Sequence, residues 1–224
     1  MSISPPVTKE PKSPLISYEN GVTRIHIPKG VTISEPIEVE TDDNLEIVVE
    51  ENAKVTIKII TRNKSNITQQ ITSRIIGEGG ESNIDWVVHG KGNESYNLSA
   101  KNIFDAKNGK GEINIRGVAE ERTHMKIDGM IEIGKSGSGT DAYLTEKVLM
   151  LDHTAKVDAV PGLEIKTNDV KASHSATITK INEEDLFYFA SRGISKEVAR
   201  KMFIEGFLGE IAGKIDRQDV QYSR

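Results

Sequence analysis

The 224-residue chain contains no cysteine. That excludes disulfides, thiolate metal sites, a cysteine nucleophile and a persulfide carrier within it. Aromatic residues make up only 5%, so a core built on large rings is not expected. No apolar run approaches the roughly 20 residues of a transmembrane helix, and no membrane partner is expected. Neither a Gly-x-Ser-x-Gly nor a His-Glu-x-x-His motif is present, and no enzyme activity is expected. Lys and Arg do not crowd any face, and the net charge is −5. That balance argues for solubility and against a nucleic-acid partner. With no cysteine and no apolar leader, a cytoplasmic location is the expectation.

Proline is scarce as well. Four of the seven prolines (Pro5, Pro6, Pro11, Pro14) fall near the start, and residues 1–20 read as a flexible N-terminal tail. From Gly21 onward, apolar residues recur at alternate positions in short bursts. Examples are Ile25/Ile27, Leu45/Ile47/Val49, Val55/Ile57/Ile59, Ile113/Ile115, Ile131/Ile133 and Leu163/Ile165. Period-2 alternation marks strands with one buried face. Gly, Asn, Asp and Lys separate the bursts; Gly134–Gly139 reads as a flexible turn, since no apolar helix of the kind that follows a phosphate loop comes after it. Such strands can build a sandwich, a barrel or a solenoid. Stackable Ile and Val, few aromatics and no clear two-residue hairpin turns between bursts favour a solenoid over residues 21–180. No repeat of fixed period stands out.

After Ile178 the pattern becomes helical, giving a small two-helix module over residues 181–224. Asn182 can cap a short helix, and Gly193 can take the left-handed position that ends it. Ser195 can cap a second helix running roughly Lys196–Lys214. Ala199, Phe203, Phe207, Ile211 and Ile215 form its apolar stripe, flanked by Val198, Met202, Ile204 and Leu208. Gly206, Gly209 and Gly213 inside it suggest close backbone approach, against the β body or a partner. The final Arg217–Arg224 reads as frayed.

Three stretches carry a resemblance. They are Leu149–Ile165 (LMLDHTAKVDAVPGLEI), Asn168–Thr177 (NDVKASHSAT) and Leu186–Ser195 (LFYFASRGIS), continuing to Ala199-Arg200 and Gly206-Phe207. Their order and spacing resemble the C-terminal region of the SufB/SufD family of iron–sulfur cluster assembly. The resemblance implies an all-β body, a right-handed parallel β-helix, ending in a small helical module. It implies a scaffold subunit that docks a SufC-type ATPase through its C-terminal helices. It also implies pairing through the β-helix, as a homodimer or with a SufB-like subunit. No stably bound cofactor is implied; a transient cluster at a subunit interface is. His174 stands where SufD-like members carry the histidine implicated in holding iron. Ser175, where SufB-like members have Glu, tilts the match toward SufD. Ala172 stands where a cysteine often sits, and the long N-terminal helical region of full-length relatives is missing. Phe187, Arg192, Gly193, Phe203 and Phe207 are the implied ATPase-docking residues.

Each site reading has a plainer competitor. His174 is either an iron ligand or a turn histidine, and His153, Asp158, Glu164 and Asp169 are either its companions or solvated loop charges. His89 and Trp86 read as packing. The helical module's stripe either meets a partner or docks on the chain's own body. In a different class altogether, a β-helix can bind or cleave acidic polysaccharides with carboxylates and aromatic platforms stacked along one sheet.

Overall fold

The computed structural model describes residues 13–39, 43–62 and 66–212, without the side chains of residues 62, 183 and 212. Its strands, in chain order, are β1 Leu15–Glu19, β2 Val22–Ile27, β3 Ile37–Val39, β4 Asn44–Val49, β5 Lys54–Arg62, β6 Ile67–Ile75 and β7 Glu81–Gly90. They continue as β8 Ser95–Phe104, β9 Lys110–Ala119, β10 His124–Ile133, β11 Thr140–Met150, β12 Lys156–Ala159, β13 Gly162–Ile165 and β14 Val170–Lys180. Two helices follow, α1 Glu183–Ser191 and α2 Lys196–Ala212.

The strands alternate between two sheets. One runs β1-β2-β4-β6-β8-β10-β12, with β13 also on β10; the other runs β3-β5-β7-β9-β11-β14. Every pair is parallel except β1–β2. Each strand therefore bonds to the next coil, which is the parallel β-helix expected from the burst pattern. The coils lengthen along the chain. Val22 lies beside Asn44, Leu45 beside Ile71, Tyr96 beside Met125, and His124 beside Lys156. That drift is why no fixed sequence period exists.

Inward residues stack in columns. One column runs Ile57, Ile84, Ile113, Leu144 and then His174; another runs Ile59, Trp86, Ile115, Glu146 and Ala176. Most of these side chains are fully buried. On the outer face, Lys54, Glu81, Lys110, Asp141 and Lys171 stack with alternating sign. Each exposed pair adds little stability by itself. A one-residue slip, however, would reverse every side chain's face, so the column favours one register.

One corner repeats a conformational device. Gly30, Asn52, Gly79, Asn108 and Gly139 all have positive φ. Their N–H groups each donate to the next coil's carbonyl: Glu51, Glu78, Lys107, Ser138 and Asp169. The Gly134–Gly139 segment is one more rung of this corner. It serves as a bonded turn within the solenoid.

The structure revises the expected tail through Asn20. Leu15–Glu19 forms β1, paired antiparallel with β2 through a two-residue turn, and Asn20 and Gly21 both have positive φ. Asn-Gly favours such a turn because both residues tolerate the left-handed region. The remaining tail residues, 1–12, lie outside the described residues.

The helical module follows its caps. Asn182 Oδ1 accepts from Asp185 N (2.6 Å), and Asp185 Oδ2 accepts from Asn182 N (3.3 Å), forming a reciprocal capping box. Arg192 ends α1 and Gly193 has φ +76. Gly193 N donates to Ala190 O and Ile194 N to Phe189 O, the double bond of a Schellman ending. Ser195 Oγ accepts from Val198 N and caps α2. Gly213, Lys214, Ile215 and Arg217–Arg224 lie outside the described residues.

Candidate functional site

Two regions hold the residues singled out by the sequence: the last coil of the β-helix and the outer face of the helical module.

The last coil is thin. In the first sheet it consists of β12 and β13, short strands separated at Val160-Pro161; in the second it is β14. No further strand covers β14 among the described residues, so eleven residues of backbone form an open edge. His174 sits in an inward column but is exposed, because the solenoid stops there. Ala172 and Ala176 flank it on the same face, and Ile178 is exposed beyond them. Three of the four companions considered for His174 have other partners. Asp158 meets His124, Glu164 meets Lys166, and Asp169 accepts from Ser138 Oγ. No group of three His, Asp or Glu side chains suited to a metal occurs among the described residues. His174 therefore stands as a lone imidazole at the mouth of the solenoid.

Glu146 lies one coil beneath that mouth, beside Ala176 in register. Its side chain is fully buried, and neither carboxylate oxygen has a hydrogen-bond partner in the structure. A Cβ on Gly129 would overlap Glu146 Oε1, so the missing side chain there makes room for the carboxyl. Burial pushes the Glu146 carboxyl up to about 7, and the charge of Asp128 adds to the rise. The Gly129 backbone offsets part of it without reaching hydrogen-bond geometry. A sequence signal existed: Glu146 shares strand parity with Leu144, Val148 and Met150.

In the helical module, α2 buries Ala199, Ile204 and Leu208. Ile204 and Leu208 meet Val87, Val118, Leu149 and Leu151 of the β body. Phe203 and Phe207, expected among docking residues, turn toward this same cluster. Phe203 takes the edge of Phe189 at 5.3 Å, and Phe207 lies under the Arg116 guanidinium at 5.2 Å. Arg192 reaches over Tyr188 at 5.5 Å, and Gly193 sets the turn. Phe187 alone of the five presents a large apolar side chain to solvent, at 74% exposure. Tyr188 (59%), Val198 (49%) and Met202 (47%) are further exposed apolar side chains of the module. Gly206 and Gly209 have open space where a Cβ would be, so they do not pack on the β body.

Two further histidines are engaged. His89 Nε2 meets Glu120 at 2.7 Å and His26 meets Glu50 at 2.8 Å. Trp86 is buried and donates to Thr61 Oγ1. Tyr143 is the only exposed Phe, Tyr or Trp on the second sheet's strands among the described residues, so the stacked aromatic platforms of a polysaccharide site do not form there. No described helix is long and apolar enough to cross a membrane.

Known proteins give this arrangement its context. Residues 38–207 match the family described as SUF system FeS cluster assembly, SufBD core domain. The chain is 27% identical to the iron–sulfur cluster assembly protein SufD of Bacillus subtilis over 205 residues, covering 79% of this chain and 47% of that protein. It is 30% identical to the SufB protein of the same organism over 164 residues, covering 72% of this chain and 35% of SufB. Against the SufD protein of Escherichia coli it is 35% identical over 94 residues, covering 42% of this chain and 22% of that protein. The chain thus spans about half, or less, of the length of these relatives. The family match covers most of the β-helix and reaches well into α2, and on that match the chain belongs to the SufB/SufD family.

Proposed function

We propose that the chain is a non-catalytic scaffold subunit of SUF-type iron–sulfur cluster assembly. In this reading it docks a SufC-type ATPase through the outer face of α1 and α2. It pairs with a second SufB/SufD-type chain through the open end of the β-helix. The observation that carries the reading is the separation of the two surfaces. The exposed apolar side chains of the helices (Phe187, Tyr188, Val198, Met202) and the bare edge of β14 lie on different elements, each without a covering element among the described residues. Exposed large apolar side chains mark interaction sites, and the open space at Gly206 and Gly209 leaves room for a partner to approach. Capture of a cognate SufC-type ATPase by the immobilised chain tests the docking half. Retention in near one-to-one ratio is expected; passage of the ATPase through unretained contradicts it.

The β14 edge supports pairing because its backbone groups are unsatisfied by any further strand among the described residues, and natural edges of this length are usually covered or charged. Ser175 and Thr177 are exposed. Replacing both with lysine places like charges along the edge without touching the buried columns. The doubly substituted chain is expected to pair at least tenfold more weakly, about 1.4 kcal/mol, by analytical ultracentrifugation. Unchanged association would place the pairing surface elsewhere. His174 lies within this surface. In this reading it is the chain's contribution to a transient cluster or iron site completed by the partner, and cluster iron is cargo there, not a resident cofactor.

A further inference from the structure

Helix α2 is joined to the body by more than its apolar stripe. Arg200, in the second turn of α2, reaches the corner where β9 and β11 end. Its Nη2 donates to Asp152 Oδ2 (2.6 Å) and to Glu120 Oε2 (3.3 Å). Its Nη1 donates to Asp152 Oδ1 (3.1 Å) and to the Leu151 carbonyl (3.2 Å). The acceptors are themselves fixed. Asp152 Oδ2 also accepts from Glu121 N (2.7 Å), and Glu120 Oε1 is held by His89 Nε2 (2.7 Å).

These groups belong to three successive coils. Glu120 N donates to Gly90 O, and Leu151 N donates to Ala119 O, so the corners after β7, β9 and β11 stack directly. One guanidinium thus grips the third corner through Leu151 and Asp152, the second through Glu120, and reaches the first through His89. Both carboxyls stay ionised. The bond from Arg200 is the main cause that holds Asp152 below the ordinary carboxylate range. At Glu120, burial acts upward, but the bonds from His89 and Arg200 outweigh it and leave the carboxyl low. A single exposed ion pair would add little. A planar fork shared by two carboxylates and a carbonyl, partly out of water, is a stronger and more directional contact.

The rest of the module hangs from this seat. Farther along α2, Glu210 pairs with Arg116, which also covers Phe207. Helix α1 packs on α2 through Phe189 and Phe203. The orientation of the exposed face on α1 is therefore inherited from α2.

We propose that Arg200 is a positioning residue that clamps the helical module onto three consecutive coils, so that the module and the β-helix move as one lever. A force applied to the exposed face would then enter the body at the Glu120–Glu121 and Leu151–Asp152 corners. The clamp lies within this chain alone and does not depend on which protein docks.

Because the chain has no cysteine, spin labels can be placed cleanly at Glu184→Cys on α1 and Lys110→Cys on β9, both exposed. Pulsed dipolar spectroscopy on the full chain should give one narrow distance distribution with Arg200 present. It should broaden in Arg200→Met and be only partly restored in Arg200→Lys, which keeps the charge but loses the fork. Hydrogen exchange of α1 and α2 amides should rise about tenfold in Arg200→Met, with β5–β11 unchanged. If Arg200→Met loses protection throughout, Asp152→Asn takes its place and should broaden the same distribution. A broad distribution already in the Arg200 chain overturns the clamp. So does a distribution unaltered by Arg200→Met or by its replacement Asp152→Asn, or full restoration by lysine.

Discussion

If the proposed docking holds, a chain carrying Phe187→Asp together with Met202→Asp is expected to bind a SufC-type ATPase on the order of a hundredfold more weakly. Phe187 and Met202 lie on different helices, yet both are exposed large apolar side chains of the same module. Large apolar anchors that become fully desolvated dominate interface energetics, and a carboxylate in such a position cannot shed its water cheaply. Neither side chain supports the fold: the module's own packing uses Ala199, Ile204 and Leu208 on α2, with Phe189 on Phe203. The variant should therefore keep the wild-type melting temperature within a few degrees while capture is lost. Calorimetric titration with the ATPase gives the affinity and thermal denaturation gives the control. Undiminished affinity would mean that the partner uses another face.

The second large effect concerns Glu146. Its folded-state carboxyl sits at about 7, well above the ordinary value of 4.5. The folded chain therefore holds a proton that the unfolded chain releases more readily. For a raised carboxyl, stability is fully present below the unfolded value and declines as pH rises toward the folded value. Wild type should lose stability between about pH 4.5 and 7 relative to Glu146→Gln, which cannot ionise. Allowing for residual solvent screening, the variant's advantage should grow to about 2 kcal/mol by about pH 8, roughly 4–8 °C in Tm. Parallel thermal melts of the two proteins across that range measure it. A constant difference at every pH would show that the carboxyl does not titrate as its burial requires.

Why a chain keeps such a group is visible in its position. Glu146 stands beside Ala176, one coil from the open end, in a column whose other buried members, Ile59, Trp86 and Ile115, are apolar. An apolar residue there would be more stable, so the carboxyl marks a place where packing was not the sole requirement.

Much of this architecture was legible in the residues. Alternating Ile and Val, with inter-burst turns lacking hairpin text, implied strands that bond from coil to coil. Asn182, Gly193 and Ser195 located the helix caps because each has a local backbone reason to be there. What escaped was non-local or carried by a single pair. Asn20-Gly21 is a hairpin signal at a point where composition suggested only a tail, and the β1 it folds is five residues long with every side chain exposed. Phe203 and Phe207 could face partner or body equally well from the stripe alone; the cluster at Val118 and Leu149, far upstream in the chain, decides it. The expected close approach at Gly206 and Gly209 does not occur within the chain, since helix periodicity says that a face is smooth, not what covers it. Arg200's carboxylate partners are 48 and 80 residues away. No spacing rule links them until the coils are stacked.

The solution mass of the full chain mixed with its cognate SufC-type ATPase tests the central claim most directly. Light scattering on the separated complex should give one ATPase per copy of the chain, joined through pairs of chains, with assembly lost in the Phe187→Asp/Met202→Asp variant. A chain and an ATPase that migrate independently at concentrations well above those in the capture experiment would contradict the scaffold assignment.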